Sequence, residues 1–364
     1  MRVHTILTAI SLAFIITSCG NKVDPEQPDP IQKPDLPTTT KLEYPAPEHT
    51  GFERVAYFPS YRNVGTLYVP DYIYESVDVC CYAFATINAQ NKVTLQQEKT
   101  LKALVDRAHA MGKKVLISLN GDHKLYAQMT SSMATRITFV NSVMDIVKNY
   151  NLDGVDNDWE YPKTSDNSSK GNYELMKQFS NILHAPGENK LLTMAITPGK
   201  YAGSIRDGIL TEVFDCVDWF NIMVYDDYTT EVAGRNHASW ELMTTAASYW
   251  IGERKMPKKK FVCGLPAYGR ASGITQSGTT LSYSVILDKG GDPYSDSAMV
   301  SSDSHPESYE IFYNGITTIR KKVAYCMEND LGGYMFWEQG QDCYTDKEKS
   351  LLYNASDEYM TSKK

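Results

Sequence analysis

The chain has 364 residues, 42% of them hydrophobic and 22% charged, with a formal net charge of −8. That is enough for one large domain or two small ones, and the composition is that of a globular protein rather than a disordered or fibrous one. The acidic balance and the absence of a basic cluster leave a nucleic-acid partner without its electrostatic footprint.

At the N-terminus, Arg2 and His4 precede the apolar run Ile6–Ile16, which is too short to span a bilayer. The run closes as Ile16-Thr17-Ser18-Cys19. This resembles a bacterial lipoprotein cleavage box and implies residues 1–19 as a signal peptide, with Cys19 as the lipidated residue. Gly20 after the cysteine implies an outer-membrane destination, and Asp24 and Glu26 would suit surface export. Residues 20–50 hold seven of the sixteen prolines and read as an extended tether between membrane and domain. Residues 51–364 are the expected folded domain.

From Phe52 onward, short apolar β-rich runs alternate with longer amphipathic stretches. The predicted strands are Val55–Pro59, Val77–Ala85, Lys114–Leu119, Asp153–Glu160, Leu191–Thr197, Val217–Tyr225, Lys260–Ala267 and Gly333–Trp337. The predicted helices are Leu95–Met111, Ser132–Tyr150, Tyr173–His184, Trp240–Ile251, Ile311–Met327 and Lys347–Tyr359, and the segment around Ala202–Val213 lacks a clear helical pattern. This alternation suggests a (β/α)8 TIM barrel, although the pattern alone also admits a doubly wound sheet.

The most informative stretch is Leu152–Pro162, Leu-Asp-Gly-Val-Asp-Asn-Asp-Trp-Glu-Tyr-Pro. On a strand, Asp156, Asp158 and Glu160 share one face at about 6.5 Å intervals. Three carboxyls in one file repel one another and are costly to bury unpaired, so a packing role explains them poorly. A calcium loop of the EF-hand type needs Gly at its sixth and Glu at its twelfth position, and here Glu comes too soon. A solvated acidic strand is the other bland reading. A proton donor beside a carboxyl pair that shares a proton fits the pattern best.

The pattern Asp153-Gly154-x-Asp156-x-Asp158-x-Glu160 resembles the catalytic signature of glycoside hydrolase family 18, and Trp159 to Pro162 continues it in chitinase style. The resemblance extends from Val55 to Asp342 and implies the barrel, as one catalytic domain. It also implies sites at strand ends, where such barrels carry their chemistry. Tyr57 and Phe84 would face the mouth. Met223-Val224-Tyr225-Asp226, Gly264 to Arg270 and Gly332 to Glu338 are similar to family segments at the ends of the last three strands. Two positions depart from the family pattern. Ser118-Leu119-Asn120-Gly121 stands where Ser-x-Gly-Gly is usual. Asn157 occupies an apolar slot facing the helices, where a buried amide needs a partner. Between strand seven and the next helix, Ala271–Glu310 is too short for the full α/β insertion of many chitinases, so a long loop or small excursion is expected there.

For residue roles, the resemblance implies substrate-assisted retaining catalysis on N-acetylglucosamine glycans. Glu160 is the implied acid/base, Asp158 orients the 2-acetamido group, Asp156 shares a proton with Asp158, and Tyr225 bonds the acetamido oxygen. Trp337 would lie under the sugar, with Tyr161, Met223, Asp226 and Arg270 lining the cleft. Asp153 and Gly154 are expected to be structural. No cofactor and no metal are implied: the seven histidines show no paired zinc spacing. Cys80, Cys81 and Cys263 read as buried strand residues, while Cys216, Cys326 and Cys343 could pair but read as free. A chitinase, acting as a monomer on chitin or its oligomers, is the leading reading. An endo-β-N-acetylglucosaminidase cutting N-glycan cores and a non-catalytic glycan-binding protein are the alternatives.

Overall fold

The structure is a computed structural model and describes residues 41–62, 69–275 and 277–363. The expected signal peptide, Cys19 and tether residues 20–40 lie outside the described residues. Residues 41–50, assigned above to the tether, lie against the folded domain instead. The Asn181 side chain accepts from the backbone N–H groups of Glu43 and Tyr44 and donates to the Lys41 carbonyl. Ala46 N–H donates to Asp215 O at 2.8 Å, and the His49 ring lies 5.2 Å from that of Trp219. Prolines remove donors but do not prevent an extended strap from docking where a side chain supplies the missing partners.

Eight parallel strands close into a barrel: β1 (Glu53–Pro59), β2 (Val79–Ile87), β4 (Lys114–Asn120), β5 (Gly154–Asn157), β6 (Leu191–Ile196), β7 (Trp219–Ile222), β8 (Phe261–Pro266) and β13 (Gly333–Trp337). β1 pairs with both β2 and β13, which closes the ring. A short strand, β3 (Val93–Leu95), adds antiparallel to the outer end of β2. Alternation along β1 sends Val55 and Tyr57 into the barrel and Ala56 and Phe58 towards the helices.

The helical layer begins with a short α1 (Asp71–Glu75) and continues through α2 (Glu98–Ala110), α3 (His123–Thr130), α4 (Met133–Asn149), α5 (Ser168–Leu183) and α6 (Trp240–Ala247). In α2, Leu101, Leu104, Val105 and Ala108 form the buried stripe, and Gly112 just beyond has φ 69°, a conformation glycine adopts freely. Ser132 caps α4 by accepting from the Thr135 N–H at 3.3 Å. The Ala202–Val213 region holds only 3₁₀ turns, Arg206–Gly208 and Thr211–Asp215.

Between β8 and the helix that follows, where a long loop or small excursion was expected, the chain forms a small antiparallel sheet. Strands β9 (Tyr268–Ala271), β10 (Leu281–Ser282), β11 (Ser297–Ser302) and β12 (His305–Phe312) pair in the order β10-β9-β12-β11, with α7 (Tyr283–Asp288) beside them. The helix expected from Ile311 therefore starts later, as α8 (Ile316–Glu328), because Ile311 and Phe312 are spent pairing with Ala271 and Arg270. α9 (Leu351–Ser362) closes the chain.

Gly154 opens β5 where the backbones of β5 and β6 meet closely: a Cβ there would lie 2.1 Å from Leu191 O. A methyl cannot fit without moving a strand. Gly154→Ala is expected to destabilise the fold by about 1–3 kcal/mol. Denaturant unfolding checks this, and a change below about 0.5 kcal/mol would show that the barrel absorbs the methyl.

Candidate active site

The acidic stretch leaves the barrel wall part-way along. β5 ladders to both neighbours only as far as Asn157, so Asp158 and Glu160 stand beyond the last paired rung, at the C-terminal rim. A continuous strand to Glu160 was expected. The last rungs are Leu119 opposite Asn157 on the β4 side and Asn157 opposite Met194 on the β6 side.

Asp156 faces the barrel interior and is fully buried. Four donors reach its two oxygens: Tyr57 Oη at 2.8 Å, Ser118 Oγ at 2.7 Å, Thr193 Oγ1 at 2.6 Å and Asn221 Nδ2 at 3.2 Å. Burial raises its carboxyl, and all four bonds oppose that rise by favouring the charged form. Asp158 is 4% exposed, and its Oδ1 has no hydrogen-bond partner. Burial, then the neighbouring charges of Glu160 and Asp156, push its carboxyl well above the usual range. A proton shared between Asp156 and Asp158 was expected. Among the described residues no hydrogen bond joins the two carboxyls, and Asp156 is held by its four donors. The two environments differ: four donors favour the charged form of Asp156, while burial and two neighbouring charges favour the neutral form of Asp158.

Glu160 stands exposed at the mouth. Partial burial raises its carboxyl, a bond with Tyr161 lowers it, and Asp226 adds to the rise. Tyr225 is 8% exposed, with its ring 6.2 Å from that of Tyr268. Burial lifts its hydroxyl well above the usual phenol range, so it remains an O–H donor. Tyr57, Asp158, Glu160, Tyr161, Met223, Tyr225, Asp226 and Trp337 line one cleft of 590 Å³. Non-proline cis peptide bonds lie at Ala83–Phe84, Glu160–Tyr161 and Trp337–Glu338, around this mouth.

Phe84 was expected to face the mouth and Arg270 to line the cleft, and each contacts a residue that lines it. Phe84 stacks on Trp337, with centroids 5.8 Å apart and planes at 25°, while Tyr57 meets the same indole edge-on at 5.4 Å. Arg270 spends its guanidinium on Asp226 at 2.6 Å, and Tyr268 Oη donates to the same carboxylate at 2.7 Å. Burial alone would raise Asp226, but His237, Arg270 and Tyr268 hold it at about 2. Asp153 lies at the start of β5, away from the cleft, and accepts from the Val115 N–H at 2.7 Å; His109 Nε2 lies 2.8 Å from the same carboxylate. Asn157 is buried with one long contact, 3.4 Å to Asn172 Oδ1, and its own Oδ1 is unpartnered.

Several residues of the site have no counterpart in the sequence reading. Lys200 to Arg206 form one wall of the cleft. Asp227 ties that wall to the loop after β7, accepting from Lys200 Nζ at 2.6 Å, Tyr201 Oη at 2.5 Å and Arg235 Nη2 at 2.5 Å. Nothing in the local sequence marks this loop. Ser118, Thr193 and Asn221 did leave a signal, as polar residues at inward positions of otherwise apolar strands. Among the described residues, no group of three or more His, Cys, Asp or Glu is arranged to hold a metal ion.

A barrel with a buried carboxyl file at its C-terminal mouth matches known proteins. The chain is 26% identical over 302 residues to a class V chitinase of Arabidopsis thaliana, covering 71% of this chain and 79% of that protein. A chitinase from Bacteroides thetaiotaomicron superposes with a TM-score of 0.72 at 23% identity, covering 85% of this chain and 97% of the other. A family 18 chitinase from Cycas revoluta, solved in complex with (GlcNAc)3, superposes with a TM-score of 0.70 at 22% identity, covering 84% of this chain and 99% of the other. The family model for glycosyl hydrolases family 18 matches residues 53–342, and the chain belongs to that family as a chitinase-like glycoside hydrolase.

Proposed function

We propose that this hydrolase cleaves β-1,4 bonds next to N-acetylglucosamine by substrate-assisted retaining catalysis. One observation carries the reading: Asp158, buried and with one carboxyl oxygen unpartnered, lines the same cleft as Glu160, Tyr225 and Trp337. Asp156 is an unsuitable nucleophile because four donors occupy it. A substrate that brings its own nucleophile resolves this.

In the first step the 2-acetamido oxygen attacks the anomeric carbon as the glycosidic C–O bond breaks. Glu160 gives its proton to the departing oxygen. Asp158 accepts the acetamido N–H and faces the positive charge that builds on the forming oxazolinium ring. Tyr225 donates to the acetamido oxygen, and Trp337, braced by Phe84, lies beneath the sugar. In the second step Glu160 takes a proton from water, which attacks the anomeric carbon and reopens the ring with net retention. The Cycas relative, solved with an N-acetylglucosamine trimer, supports this substrate class.

The test offers the purified protein chito-hexaose, a high-mannose glycoprotein and a β-1,4-glucan, with products read by mass spectrometry. Chitobiose and chitotriose from the first alone are expected. Release of an intact glycan that leaves one N-acetylglucosamine on the glycoprotein would move the assignment to an endo-β-N-acetylglucosaminidase. Efficient cleavage of the glucan, which has no acetamido group, would overturn the mechanism.

A further inference from the structure

Asn120 closes β4 in a slot where the family pattern places glycine. Its side-chain Nδ2 donates to the main-chain carbonyl of Asp158 at 2.9 Å. A carbonyl only accepts, so its partner must be the amide nitrogen. The amide also pulls the Asp158 carboxyl downward, against the rise that burial causes.

This contact sits at a particular place in the barrel. The ladder between β4 and β5 ends at Leu119 opposite Asn157, and that between β5 and β6 ends at Asn157 opposite Met194. One step further on, Asp158 has no sheet partner on the β6 side. What continues the pairing on the β4 side is the Asp158 N–H to Leu119 O at 2.8 Å and the Asn120 amide to Asp158 O. A side chain thus supplies the next rung, at the residue whose carboxyl must be aimed. A glycine in this slot has no group to offer.

We propose that Asn120 is a positioning residue that fixes the main chain of Asp158 and directs its carboxyl towards the bound acetamido group. This rests on the catalytic role given above to Asp158. The amide is a donor, so it favours the charged form of Asp158, the form needed once positive charge develops on the substrate. A merely structural amide would hold the loop without acting on that equilibrium.

The experiment compares the wild type with Asn120→Gly, Asn120→Ala and Asn120→Asp. Each is read by melting temperature, by kcat and KM on chito-oligosaccharides across pH, and by carbon-13 NMR titration of carboxyl-labelled aspartate, with Asp158→Asn identifying the Asp158 signal. Asn120→Gly is expected to fold, to lose about tenfold in kcat with KM within about twofold, and to titrate Asp158 at higher pH. Asn120→Asp, which sets an acceptor against the carbonyl and a charge beside Asp158, is expected to lose more. An unmoved Asp158 titration in Asn120→Gly, or losses that merely follow melting temperature in all three variants, would overturn the proposal. No turnover by the wild type on any N-acetylglucosamine substrate would instead sink the functional reading, while the NMR titration would still read the Asn120–Asp158 contact.

Discussion

Glu160→Gln is expected to fold normally, bind chito-oligosaccharides and lose at least about 10²–10⁴-fold in kcat, the usual cost of removing a general acid. Glutamine keeps the shape and the hydrogen-bonding reach of the side chain but has no proton to give. Glu160 stands at the mouth and takes little part in packing, so a stability change is not expected to cloud the result. The pH dependence provides a second check. Glu160 must be protonated to act, and its carboxyl is raised by burial and by Asp226. Activity is therefore present below the raised Glu160 value and lost as pH rises through it. That limb is expected to lie above the ordinary glutamic acid value of about 4.3, and any residual activity of Glu160→Gln should lack it. Turnover within a few-fold of wild type, or an unchanged alkaline limb, would remove Glu160 from its role.

Asp158→Asn is expected to cost about 10²–10³-fold in kcat while leaving the fold intact. The side chain is buried, and burial and its acidic neighbours favour its neutral form, so a neutral amide of the same shape is a mild replacement for the fold. The loss arises only during reaction, when the substrate becomes positive and an amide cannot become its counter-ion. KM is therefore expected to change little while kcat collapses, the signature of an interaction made in the transition state. Steady-state kinetics decides this. A variant that unfolds would mean that Asp158 is charged in the resting protein, and one that retains turnover would remove it from the mechanism. Asp156 differs: replacing it would strand Tyr57, Ser118, Thr193 and Asn221 in the barrel interior, so a stability loss would mix with any catalytic one.

Features carried by short-range periodicity were legible without coordinates. The stripes of α2 and α4 and the apolar runs of the barrel strands repeat within a few residues, so local burial patterns reveal them. The spacing of Asp153, Asp156, Asp158 and Glu160 is likewise local. No packing need explains three carboxyls in file, and the family 18 reading came from the resemblance of this spacing to that family's signature. Polar inward residues such as Thr193 and Asn221 were readable in principle, once each strand's inner face was assigned.

The rest depended on elements far apart in sequence. The small sheet between β8 and α8 forms because β12 finds β9 some forty residues earlier, and its own pattern resembled the start of a helix. Tether residues 41–50 found partners on α5 and beyond it, including Asn181 and Asp215. One cleft wall is a segment without periodicity, gathered by Asp227. The sequence by itself determined the strand–helix alternation and the file of acids, since alternation and spacing are local properties, while a doubly wound sheet stayed open on that pattern. Only the tertiary structure decided how differently two of those acids are held. Asp156 and Asp158 are two residues apart and chemically identical, and four donors from β1, β4, β6 and β7 meet one of them while Asp158 Oδ1 has none.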